Sequence, residues 1–150
     1  MMRRVLRGRR GFTLIEVLIV SVYIAIVAAI VLPRVTGATR RARETNMRAT
    51  LQEIRKAVGS FQAETGLFPA GLDDIVTTTA PPTGLDRDGN SVTILAVDFR
   101  GPYLRAPGGG VPKDVITGLP DWIYSTAPPV GQVHSAATGD SVDAGPYSLF

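Results

Sequence analysis

Two short stretches of this sequence hold oxygen donors at spacings that suit a hard cation. Asp86, Asp88 and Asn90 stand at alternate positions, and Asp140, Ser141 and Asp143 lie close together near the end of the chain. The first set departs from an EF-hand loop, because Gly89 comes too early and no glutamate closes the ring of ligands. Asp140 and Asp143, completed by backbone carbonyls, are calcium candidates, although aspartates that shape a turn give the same pattern. Beyond calcium no cofactor is expected. The chain has no cysteine and one histidine, His134, which removes thiolate metal sites, thiol nucleophiles and a histidine-rich centre. Gly108-Gly109-Gly110 lacks the Lys-Ser/Thr of a phosphate loop and reads as a turn. No serine carries a recognisable His and acid motif. No catalytic residue is therefore expected, and the chain is read as no enzyme.

The remaining chemically unusual residue is Glu16, a lone carboxylate in the apolar run from Phe12 to Leu32. As a helix, those 21 residues rise roughly 32 Å, about one bilayer hydrocarbon core. A carboxylate there costs a few kcal/mol at mid-membrane and less near the edge. Near a helix N-terminus the macrodipole favours it. Ser21 and Tyr23, polar residues within the run, can satisfy their hydroxyls through a backbone carbonyl or a neighbouring helix.

Net charge is +3, yet five of the 16 basic residues (Arg3, Arg4, Arg7, Arg9, Arg10) precede the apolar run. The remainder holds 11 basic against 13 acidic residues, too little field for a polyanion, so no nucleic-acid partner is expected apart from a local patch at Arg40, Arg41, Arg43 and Arg48. The dense basic leader predicts a cytoplasmic N-terminus and a single pass, with the rest of the chain across the membrane.

Gly11-Phe12-Thr13-Leu14-Ile15-Glu16, behind that leader, resembles the processing motif of type IV prepilins and type II secretion pseudopilins. The resemblance implies that a prepilin peptidase of the inner membrane cuts between Gly11 and Phe12 and methylates the new amine of Phe12. It further implies that Glu16 pairs with the Phe12 amine of a neighbouring subunit once the helices pack into a homo-oligomeric helical filament, periplasmic or at the cell surface. An assembly platform protein and, indirectly, an assembly ATPase would be the other partners.

Four regions are predicted: a leader (1–11), a transmembrane and assembly helix (12–35), an amphipathic continuation (36–66) and a globular head (67–150). Pro33, with Gly37 four residues on, should kink or locally melt the helix by deleting an intrahelical hydrogen bond; the plainer reading, that Pro33 ends the membrane helix, is disfavoured by the amphipathic stretch that follows. Met47, Leu51, Ile54, Val58 and Phe61 recur at intervals of four and three, an apolar stripe that a coiled coil, a compact domain or a small sheet would cover. Gly66 and Pro69 then stop the helix.

In the head, Leu72 to Val76 suits one helical turn and Thr77 to Gly84 a loop. Val92–Phe99, Trp122–Thr126 and Val130–Ser135 read as strands, three or four in all with the tail as a further edge. The fold class is α+β, a long helix on a small antiparallel sheet, pilin-like by resemblance. Ala57 to Pro69, Gly101-Pro102-Tyr103-Leu104, Pro112-Lys113-Asp114 and Asp121-Trp122-Ile123-Tyr124 resemble the type II secretion major pseudopilins, with Val115 where that family often has proline; the resemblance also implies calcium at Asp140 and Asp143, which lie in the C-terminal region where those proteins commonly hold it. The function expected is a pseudopilin subunit. A type IV pilin for adhesion, motility or DNA uptake is the neighbouring alternative, and a signal-anchored periplasmic domain that never polymerises is the distant one.

Overall fold

The computed structural model describes residues 12–141 and 145–147. One helix, α1 (Leu14–Thr65), runs 52 residues, passing through Pro33 and Gly37 without ending. Of the two readings of Pro33, termination is set aside: the helical backbone continues beyond it. The chain divides into two compact units, residues 1–39 and 40–150.

In the first unit no described residue of the helix is buried. Leu14–Val31 is long and apolar enough to cross a membrane, and none of it is buried within the chain. The second unit owes its core to the stripe. Met47, Leu51, Ile54, Val58 and Phe61 are all buried, as is Ala57, because their 3.6-residue repeat sets them on one side of α1. Ile75, Ile94, Trp122, Val133 and Tyr147 pack into the same cluster. Gly66 ends the helix with φ 74°, a left-handed turn that costs glycine no steric penalty, and its N–H closes on the Gln62 carbonyl at 2.9 Å.

The expected strands shrink and divide. β1 (Phe68–Pro69), β2 (Thr83–Leu85) and β3 (Ser91–Thr93) form an antiparallel sheet in that order, with Phe68 opposite Leu85 and Gly84 opposite Val92. A single 3-10 turn, Leu72–Ile75, follows β1 as the sequence suggested. β4 (Ile123–Tyr124) pairs with β5 (Val133–His134), and β6 (Asp140–Ser141) with β7 (Gly145–Pro146). The predicted strand Val92–Phe99 stops at Thr93, with the Asp98 N–H bonded back to the Leu95 carbonyl at 2.9 Å. That turn lets Phe99 return to α1, where Phe61, Phe99 and Tyr103 meet edge to face with centroids 5.4 to 6.1 Å apart. The predicted loop Thr77–Gly84 yields its last two residues to β2.

Candidate functional site

Phe12 is 82% exposed and opens the described chain. Thr13 stands just before the first residue of α1, and Glu16 is its third residue. The two form a reciprocal cap: the Thr13 N–H donates to Glu16 Oε2 at 3.5 Å and the Glu16 N–H donates to Thr13 Oγ1 at 3.4 Å. The Thr13 hydroxyl also donates to Glu16 Oε2 at 3.5 Å. These bonds are long and exposed, so the carboxylate is held in place weakly. The helix macrodipole at Glu16 does not by itself predict this cap, although Thr-x-x-Glu ahead of an apolar run is its sequence signal. Ser21 uses a backbone carbonyl as expected, donating to Leu18 O at 2.8 Å.

From Leu14 to Val31 the apolar side chains stand largely exposed, Val17, Leu18, Val20, Ile24 and Ile30 all beyond half. An α-helix satisfies its own backbone polar groups, so lipid or other apolar helices can surround such a segment without desolvation cost. Gly11 lies outside the described residues. Pro33 and Gly37 are within the helix, and Gly37 has open space around its Cα.

In the head the residues that resemble the pseudopilin pattern act as pins. The Tyr103 and Leu104 N–H groups both donate to the Ile75 carbonyl at 2.9 Å, and the Tyr103 hydroxyl donates to Glu64 Oε2 at 2.8 Å. Trp122 Nε1 donates to the Pro112 carbonyl and the Tyr124 hydroxyl to the Pro69 carbonyl, each at 2.7 Å. Burial pushes the Tyr124 phenol up, with Asp74 adding to the effect. Asp114 is fully buried. It accepts hydrogen bonds from the Ser135 hydroxyl and, at 2.7 Å, from the Ile116 N–H. Periodicity could not reveal that pair, since an isolated aspartate in a Pro-Lys-Asp stretch has the composition of a surface turn.

A second unforeseen group ties the C-terminal region to the start of the second unit. The Tyr147 hydroxyl donates to Glu44 Oε1 at 2.8 Å, and Arg40 Nε lies 3.4 Å from the same oxygen. Arg40 Nη2 also donates to the Asp140 carbonyl at 2.6 Å. Burial raises the Tyr147 pKa, helped by Glu44, and the hydrogen bond with Tyr147 chiefly raises that of Arg40. His134 is half-buried on β5, opposite Ile123.

The two cation candidates fare differently. Asp86 spends its carboxylate locally: Oδ1 accepts the N–H groups of Asp88 and Asn90 at 2.9 and 2.8 Å, and Oδ2 accepts Asn90 Nδ2 at 3.0 Å. It is an Asx-type turn between β2 and β3. Asp140 is exposed on β6, while Asp143 lies outside the described residues. Among the described residues no three acidic or histidine side chains gather as metal ligands.

Residues 6–32 match the prokaryotic N-terminal methylation motif. The chain is 34% identical over 115 residues to a type II secretion system core protein G of Xanthomonas campestris, covering 73% of this chain and 78% of that one. A core protein G of Pseudomonas aeruginosa is 29% identical over 116 residues, 73% of this chain and 82% of the relative. A type IV wide pilus major component of Thermus thermophilus is 38% identical over 63 residues, 42% and 48% of the two chains. No solved structure matches at comparable significance. The pilus component thus matches over less than half of each chain, whereas the core protein G matches cover 73% of this chain and so extend into the head. An exposed apolar helix behind a methylation motif, a buried stripe and a pinned small-sheet head therefore belong together: the chain is a member of the type II secretion system core protein G family, the major pseudopilins.

Proposed function

We propose that this pseudopilin is cut between Gly11 and Phe12, methylated on the Phe12 amine, and polymerised through residues 12–35 into a helical filament with its head outward. The observation that carries the reading is the wholly unburied apolar segment Leu14–Val31, headed by Phe12 and Glu16 and followed by a head with its own core. Apolar surface of that extent is stable in a bilayer or in a bundle of like helices, and one helix can exchange the first for the second. In the bundle, Glu16 leaves its weak bonds with Thr13 to neutralise the Phe12 amine of a neighbouring subunit.

Before assembly the chain sits in the inner membrane with its leader cytoplasmic and its head periplasmic, the orientation favoured by five leader arginines. Its role is structural and non-catalytic. A prepilin peptidase, a platform protein and an assembly ATPase act on it from the membrane and cytoplasm. The extent of the core protein G matches favours secretion over a type IV pilus. N-terminal mass analysis of membrane-extracted protein tests the processing step. A chain beginning at methylated Phe12 is expected; an intact Met1, or a cut after Leu32, would reject it.

A further inference from the structure

We propose that Arg41 and Arg43, with Arg40 beside them, form a cationic collar around α1 that binds the anionic phospholipid headgroups of the leaflet facing the head. The inference rests on the reading of residues 12–35 as a membrane span.

Between Arg34 and Arg48 the chain carries five arginines and one acid, Glu44. Arg40 is engaged with Glu44 and the Asp140 carbonyl. Arg41 and Arg43 are exposed and make no ion pair among the described residues. At 3.6 residues per turn, Arg41 and Arg43 point about 160° apart, Arg43 on the side of the buried stripe that begins at Met47 and Arg41 well away from it. A protein or duplex partner reads one face of a helix. A layer of headgroups surrounds the helix and meets both sides at once.

The spacing fits that layer. A hydrocarbon core of about 30 Å takes up roughly 20 helical residues, which from Leu14 ends near Arg34. Arg41 and Arg43 follow Arg34 by a helical rise of about 10 and 14 Å. Helical side chains lean toward the N-terminus, here toward the membrane, and arginine's long stem extends that reach. Headgroup thickness plus one Debye length, about 8 Å at physiological salt, covers the remaining distance. These cations also oppose the positive-inside bias of the leader, and lipid phosphate on their own side would neutralise them.

The test uses the full chain reconstituted in vesicles of phosphatidylcholine and phosphatidylglycerol, with spin-labelled lipids reporting which headgroup the protein immobilises. Arg41→Gln/Arg43→Gln should lower the preference for phosphatidylglycerol by about threefold or more, given the contribution of each surface arginine. Arg41→Lys/Arg43→Lys should retain it. The leader is the same in all three, so its own attraction cancels in the comparison. An unchanged preference in the glutamine variant, with the protein resistant to carbonate extraction, overturns the collar and leaves the span intact. Protein extracted by carbonate overturns the span and the collar together. Binding of a short DNA duplex that the glutamine pair abolishes, with lipid preference unaltered, would assign these arginines to nucleic acid and overturn the lipid proposal.

Discussion

Thr13 and Glu16 cap each other across the first turn of α1, at 3.4 and 3.5 Å. In the isolated chain, Glu16 thus has a local partner, which sharpens the test of its role in assembly. Removing the cap alone with Thr13→Ala should cost about 1 kcal/mol of helix-end stability and leave filaments intact. Glu16→Leu removes the carboxylate itself. If Glu16 faces the Phe12 amine of another subunit in a nearly dry filament core, that cation is left unpaired, typically about 3–5 kcal/mol for each broken pair. Capping and dipole effects alone would cost no more than about 1–2 kcal/mol. The expected outcome is normal leader removal by mass and no filaments by electron microscopy of sheared cells for Glu16→Leu, with filaments retained for Thr13→Ala. Correctly processed Glu16→Leu protein in normal filaments would reject the intersubunit pair.

The boundary between Thr39 and Arg40 gives a second prediction. A fragment from Ala38 onward retains the whole stripe and its cover, along with Arg40, Glu44 and Tyr147, and should be a soluble, cooperatively folding monomer or weak oligomer. Within it, Phe61→Ala should lose about 3–5 kcal/mol, because the ring is fully buried and meets two other rings. Glu53→Ala, on an exposed face, should stay within about 0.5 kcal/mol. Urea unfolding followed by circular dichroism measures both, and sedimentation the assembly state. Long filaments from this fragment would contradict the assignment of polymerisation to residues 12–35.

The helix and its stripe were legible because both depend on neighbours three and four residues away. Met47 to Phe61 recur at that period and are buried without exception. The strands were legible only as regions. Each is two or three residues long, and its extent is set by a partner far along the chain, such as Leu85 opposite Phe68. Pro69 signals a helix stop in the sequence, and that signal hid its place in β1. The polar pins were illegible for the same reason: Tyr147 reaches Glu44 across 103 positions and Ser135 reaches Asp114 across 21. Local composition carries no record of such pairings.

Acid should reach the β2–β3 turn in a definite way. Hydrogen bonds from Asn90, its side chain first, and from the turn N–H groups of Asp88 and Gly89 hold the Asp86 carboxyl below its ordinary pKa of 3.8. A depressed carboxyl contributes stability that is fully present above its unfolded value and is lost as pH falls through the lower folded value. The turn should therefore be fully supported above about pH 5 and weaken progressively below pH 3.8. Carboxyl-carbon chemical shifts measured against pH should place the Asp86 midpoint below 3.8. A midpoint for Asp86 at or above 3.8 would remove the carboxylate's role in the turn.

Asp114 offers a severe single polar change in the head. Its carboxylate is buried, accepting from the Ser135 hydroxyl and the Ile116 N–H, while its own N–H donates to the Leu119 carbonyl at 2.8 Å and its carbonyl accepts from Gly118 at 2.7 Å. The residue thus joins the 114–119 loop to the segment after β5. Asp114→Ala deletes the acceptor and leaves the buried Ser135 hydroxyl without it, at about 1–3 kcal/mol, and the part-buried Ile116 N–H as well. It also opens a small void. Ser135→Ala removes one donor while the Ile116 bond survives, and the Ala137 N–H loses the Ser135 oxygen it meets at 3.0 Å. The single losses should therefore be unequal, with Asp114→Ala the larger. The double variant should cost less than the sum of the two, since residues sharing a bond are not additive. Chemical unfolding of the four proteins measures this coupling. Additive losses would mean that the Asp114 carboxylate and the Ser135 hydroxyl stabilise the head independently, leaving the backbone bonds of the loop to hold it in place.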